Sequence, residues 1–138
     1  MAVRARCPAA TRIRPGGFGR HFQLKGKKPM RGQLCTMLGI EIPIVQAPMG
    51  GAVPVRLAAA VSDAGALGTL PLWRADLETL RRTLRKMRSL TPRPFAVNLN
   101  MEFSQEDRLE VCLEEGVPII SFFWRDPGPL VKRARRTI

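Results

Sequence analysis

The sequence is short of the residues on which most active-site chemistry depends. It holds a single histidine, His21, and three cysteines, Cys7, Cys35 and Cys112. Without a usable histidine no Ser-His-Asp or Cys-His set can form, and His21 lies in a stretch with no apolar periodicity. Three widely spaced cysteines with no C-x-x-C give neither a disulfide framework nor a zinc site. They fit a reduced, cytoplasmic setting. No apolar run approaches the ~18 residues needed to cross a bilayer, because Gly50, Gly51 and Pro54 interrupt the most apolar stretch. Neither G-x-G-x-x-G nor G-x-x-x-x-G-K-[ST] is present. The Gly16, Gly17 and Gly19 cluster follows no strand pattern and so is not a phosphate loop.

Acidic residues are missing from one end. Residues 1–33 contain nine Lys or Arg and no Asp or Glu, residues 34–130 have a net charge of −1, and residues 131–138 add +4, within a total of +12. The basicity therefore sits in two tails. That distribution argues against a nucleic-acid-binding face, which would carry its cations on the folded part. Residues 1–33 read as a disordered basic leader, too rich in Arg, Pro and Gly to bury enough surface to offset ordering entropy. Their acid-free, Arg-rich composition resembles a transit peptide. The alternative is an over-extended start, with Met30 or Met37 the first residue.

From Leu34 onward the pattern alternates. Ile42, Ile44 and Val45 predict a short strand, followed by the loop Gln46-Ala47-Pro48-Met49-Gly50-Gly51. Pro54 suits the first turn of a helix continued by Leu57 to Val61 and ended by Gly65. Leu67 to Leu70 is a second strand. Asp76 caps a helix whose Leu77, Leu80, Leu84 and Met87 share one face, while Arg81, Arg82, Arg85, Lys86 and Arg88 mostly occupy a solvated one. Phe95 to Leu99 is a third strand. Ser104 and Asp107 have capping-box spacing before a helix buried through Leu109, Cys112 and Leu113 and stopped by Gly116. Val117 to Phe123 is a fourth strand, and Pro129 to Arg136 begins another helix. Apolar strands alternating with amphipathic helices predict a parallel sheet covered by helices. In such a fold the loop after the first strand lies at the C-terminal edge of the sheet, where ligands bind. Glycines there admit a ligand close to the backbone.

The segments Ile42 to Gly51, Leu57 to Gly68, Pro94 to Leu99 and Gly116 to Phe122 occur in the same order as the signature motifs of nitronate monooxygenases (2-nitropropane dioxygenases), and residues 34–130 resemble the N-terminal part of that family. The resemblance implies an α/β fold: a partial TIM-type (β/α)₈ barrel of about four strand–helix units over residues 34–138. It implies bound FMN and oxidation of alkyl nitronates by dioxygen to carbonyl compounds and nitrite. The cofactor-binding residues it implies are Ala47, Pro48, Met49 and Gly50, whose backbone would line the flavin, and Asn98, whose amide would hydrogen-bond to it. The small-molecule substrate would be a nitronate, with no membrane partner. The family's catalytic histidine lies in a later Gly-Gly-His-like segment that this chain lacks, so weak or absent activity is expected. Arg125 stands where a small residue is usual and would crowd a strand end. A (β/α)₈ barrel takes ~250 residues. The first and fourth strands are therefore expected to be open edges prone to self-association. Flavin-dependent enoyl-acyl-carrier-protein reductases share the opening pattern and are the alternative enzyme class. A non-enzymatic role, with the basic tails on nucleic acid, is the other.

Overall fold

The computed structural model describes residues 2–4 and 32–136. Most of the predicted leader lies outside the described residues. Its beginning does not match the expectation of disorder: Ala2–Arg4 forms a strand, β1. The remaining elements in chain order are α1 (Gln33–Leu38), α2 (Val55–Asp63), β2 (Gly68–Pro71), α3 (Leu77–Leu90), β3 (Phe95–Asn100), α4 (Glu106–Glu114), β4 (Ile119–Phe123) and α5 (Gly128–Arg136). Among the described residues no helix is long and apolar enough to cross a membrane.

The sheet has the order β1-β4-β3-β2. The pairs β2–β3 and β3–β4 are parallel, with Pro71, Asn98 and Ser121 in one row and Thr69, Ala96 and Ile119 in another. β1 runs antiparallel to β4, Ala2 opposite Ser121 and Arg4 opposite Ile119. The fourth predicted strand is therefore not an open edge. The first predicted strand contracts to one parallel bridge between Val45 and Leu67. Pro43 has no N–H to offer a ladder, and among the described residues nothing pairs with the far side of Val45. Ile44 and Val45 accordingly remain 58% and 49% exposed.

Local chemistry explains the helix ends. Asp76 accepts from the Thr79 N–H at 2.8 Å, as expected of an N-cap. Gly65 and Gly116 follow α2 and α4 with φ of +89° and +63°, the left-handed conformation that ends helices and favours glycine. The predicted capping box before α4 does not form: Gln105 is the N-cap residue, without a side-chain cap bond, and the Ser104 hydroxyl turns to the Glu106 carboxylate.

The two faces of the sheet differ. On one, Leu70, Val97, Leu99, Ile120 and Phe122 join Leu80, Leu84 and Met87 of α3, Leu109 and Cys112 of α4, and Leu130, Val131 and Ala134 of α5 in a continuous core. Leu77, expected on the buried face of α3, is 40% exposed because it opens the helix. The approach of α2 is closest at Gly68, where a Cβ would lie 1.9 Å from the Ala58 carbonyl oxygen. Only glycine allows this packing. The predicted solvated cations of α3 are partly engaged. Arg81 and Arg85 pair with Glu114 and Glu115 at the end of α4, and Arg88 donates to the Glu115 carbonyl oxygen at 3.0 Å. The opposite face carries Leu67, Ala96 and Ile119 at its N-terminal end, closed by Cys35, Leu38 and Ile40 from α1 and the residues after it. Beyond these, that face carries the polar Thr69, Asn98, Ser121 and Asn100 together with Pro71 and Phe123.

Candidate functional site

The loops that follow the parallel strands gather at the C-terminal rim of the sheet. The loop at 46–54 joins them because Val45 pairs in parallel with Leu67. Within it the Ala52 N–H donates to the Met49 carbonyl oxygen at 3.2 Å, and Gly51 has φ +75°. A left-handed residue at the third position of a turn is the normal place for glycine. Ala47, Met49 and Gly50 are exposed and Pro48 is half-buried. Thus the four loop residues expected at a ligand site do form an accessible surface, and they lie on a loop, not inside a helix.

Gly50 is placed by a neighbour that the sequence did not single out. A Cβ on Gly50 would come within 2.9 Å of the Trp73 indole, so the absence of a side chain lets the loop rest on that ring. Trp73 in turn packs edge-on against Phe123, with centroids 5.3 Å apart, a favourable aromatic arrangement. Gln105, fully buried, ties the same rim together: its amide donates to the Asn100 carbonyl oxygen at 2.9 Å and the Trp73 carbonyl oxygen at 3.2 Å. The three loops are therefore held as one surface by contacts invisible to motif spacing.

Asn98 lies on the same polar face, below this rim. The third strand was expected to end at Leu99, but β3 continues to Asn100, so Asn98 is inside the strand and 4% exposed. Its Nδ2 donates to Ser121 Oγ at 2.8 Å. That fixes the amide orientation and leaves Oδ1 buried with no hydrogen-bond partner among the described residues. Two further atoms share this condition: Thr69 Oγ1, on the same face of the sheet, and Gln46 Oε1, in the loop that follows Val45. Gln46 Nε2 donates to the Thr69 carbonyl oxygen at 3.3 Å. A buried polar atom left unpaired costs about 1–3 kcal/mol. Such atoms are expensive for a fold and suited to a ligand. Thr69 and Ser121 went unnoticed in the sequence because single hydroxyl residues in apolar strands carry no spacing signal.

Trp124, immediately after β4, has φ +62° and is 67% exposed. A left-handed bulky residue is strained, and this one stands on the rim beside Phe123. Arg125, expected to crowd the strand end, follows it as an exposed residue. Cys112 contributes nothing to the rim: it lies in the helix-side core, and burial pushes its thiol up to about 12.

The profile of the nitronate monooxygenase family matches residues 31–115. A nitronate monooxygenase of Pseudomonas aeruginosa is 46% identical over 70 residues, which are 51% of this chain and 20% of that protein. A (3aS,4S,5R,7aS)-5-hydroxy-7a-methyl-1-oxo-octahydro-1H-indene-4-carboxyl-CoA dehydrogenase of Mycobacterium tuberculosis is 34% identical over 107 residues, 77% of this chain and 30% of that one. Among solved structures, FabK from Thermotoga maritima superposes with a TM-score of 0.75 at 32% identity, covering 78% of this chain and 35% of its own. A nitroalkane oxidase from Streptomyces ansochromogenes gives 0.62 at 28% identity, covering 71% and 38%. The chain thus spans well under half the length of each of these relatives.

Proposed function

This chain belongs to the nitronate monooxygenase family, a family of oxidoreductases, and we propose that it forms the first part of an FMN-binding (β/α)₈ barrel. Two features of the fold support the barrel. β2, β3 and β4 are neighbours in sequence order, without the reversal that marks a doubly wound sheet. Their helices all join the core on one face, leaving the other face to the barrel interior.

One observation carries the cofactor reading: Asn98 Oδ1 is buried and unpaired, on the polar face below the loop from Gln46 to Gly51. The residues fit a flavin. Ala47, Pro48 and Met49 would present backbone to the ring, Gly50 would permit close approach, and Asn98 would offer its amide oxygen to a ring N–H. The rim aromatics Trp73 and Phe123 would exclude water from that side. Bound there, FMN would supply the redox chemistry that takes an alkyl nitronate and dioxygen to a carbonyl compound and nitrite. The chain's own part is to hold and orient. Among the described residues no imidazole stands at the rim to move a proton, and weak or absent turnover is the expected outcome for this chain.

The experiment mixes the purified chain with FMN, follows flavin fluorescence, then adds an alkyl nitronate and measures nitrite. Saturable quenching with little nitrite is expected. Absence of FMN binding would overturn the cofactor assignment, and rapid nitrite release would overturn the inactivity. The CoA-thioester dehydrogenase among the relatives favours a second reading, flavin chemistry on a thioester of the enoyl-reductase kind. NAD(P)H consumption with an enoyl thioester would select it.

A further inference from the structure

The two ends of the parallel sheet are covered differently. At one end the Leu67 N–H donates to the Ile44 carbonyl oxygen and the Gln46 N–H donates to the Leu67 carbonyl oxygen, both at 2.9 Å. In a parallel ladder the residue between such partners turns its own N–H and C=O the other way. The backbone groups of Val45 therefore face outward, and among the described residues nothing pairs with them. At the other end β1 lies on β4, antiparallel, and reaches only Ile119, Ile120 and Ser121. β3 pairs with β4 as far as Phe123. The cover is thus short, and it runs against the sense of the rest of the sheet. A parallel strand continuing the sheet would need the same edge, so β1 excludes it.

We propose that β1 is a removable cover, and that once it leaves, the β4 edge takes the Val45 segment of a second copy of this chain. This rests on the barrel reading above and not on FMN. Among the described residues the parallel positions are four: Val45, β2, β3 and β4. A closed barrel of this type has eight. Two copies related by a two-fold axis supply eight, with the Val45 edge of each against the β4 edge of the other. That arrangement closes and leaves no edge free. Pairing on its far side would also give Ile44 and Val45, now 58% and 49% exposed, the full strand that their sequence predicts. A three-residue strand is a light hold on such an edge, because each pairing contributes little.

The test combines Ala2→Pro, Val3→Pro and Arg4→Pro in the whole chain, since consecutive prolines cannot serve a ladder. Light scattering over a concentration series then gives the mass. The unsubstituted chain should be a monomer and the proline variant a dimer, with a cooperative urea transition in both. Adding Val45→Pro removes the outward N–H without breaking a bond inside the copy, and should return the variant to a monomer. A proline variant that stays monomeric overturns the proposal and leaves the barrel reading standing. An unsubstituted chain that is already dimeric shows that β1 does not cover the edge, and overturns it too. A dimer that survives Val45→Pro overturns the choice of edge. Loss of the cooperative urea transition in the proline variant also counts against it, making β1 part of the fold and not a removable cover. Open-ended assemblies that grow with concentration mean that the two ends do not close on each other. In that case the proposal and the barrel reading fall together.

Discussion

The two faces of β3 are built from alternate residues of one six-residue strand, yet they do opposite things. Phe95, Val97 and Leu99 enter the apolar core under the helices. Ala96, Asn98 and Asn100 point the other way, where Asn98 keeps an unpaired oxygen. Period-two alternation makes this division inevitable in any strand. What differs here is the chemistry assigned to each side. The helix-covered side is packed and mainly apolar, and its role is stability. The open side carries amides and hydroxyls at a net cost to the fold, the usual mark of a surface kept for a ligand.

Substitutions can break that contrast or sharpen it. The largest effect is expected on the packed side. Leu84 is completely buried, and Leu84→Ala should lower the unfolding free energy by about 2–5 kcal/mol in urea denaturation. A loss below ~1 kcal/mol would mean that the helix layer is not the stabilising one. Gly68→Ala should follow, at about 1–3 kcal/mol, because the new methyl meets the Ala58 carbonyl oxygen of α2. Wild-type stability in this variant would show that α2 and β2 are not closely apposed. Acid should have a smaller effect. The Arg85 guanidinium holds the Glu115 carboxyl below the usual glutamate value of 4.5, and the Ser104 hydroxyl does the same for Glu106. A carboxyl depressed in the folded state adds stability above its unfolded pKa and loses it as pH falls through the folded one. Urea midpoints should therefore be level from pH 6 to 8 and fall below ~4.5, with a shallower fall in Glu115→Gln. The effect is modest because Arg85 is 69% exposed and water screens the pair. On the rim, Gly50→Ala should change stability by no more than ~0.5 kcal/mol but displace Trp73 and weaken FMN. Unchanged FMN affinity would separate the loop from the site.

Much of the packed side was readable in advance, because it depends on periodicity. Leu80, Leu84 and Met87 declared the buried face of α3, Asp76 its start, and Gly116 the end of α4. The rim loop was readable too, through Gln46 to Gly51. Sequence reading failed where the deciding partner is distant in the chain. Val45 loses its strand because only one side of it is paired. The α3 cations turn toward Glu115, some 30 residues away. The β4 edge is occupied by residues from the start of the chain. Thr69 and Asn98 come to one face through strand register, and register is not written in any local motif.

Amide hydrogen exchange of the chain with and without FMN tests the central claim most directly. The account predicts slowed exchange in residues 46–51 and 97–100, where the loop and the polar face of β3 meet, and no change across α3. Protection confined to the helix layer, or none at saturating FMN, would contradict it.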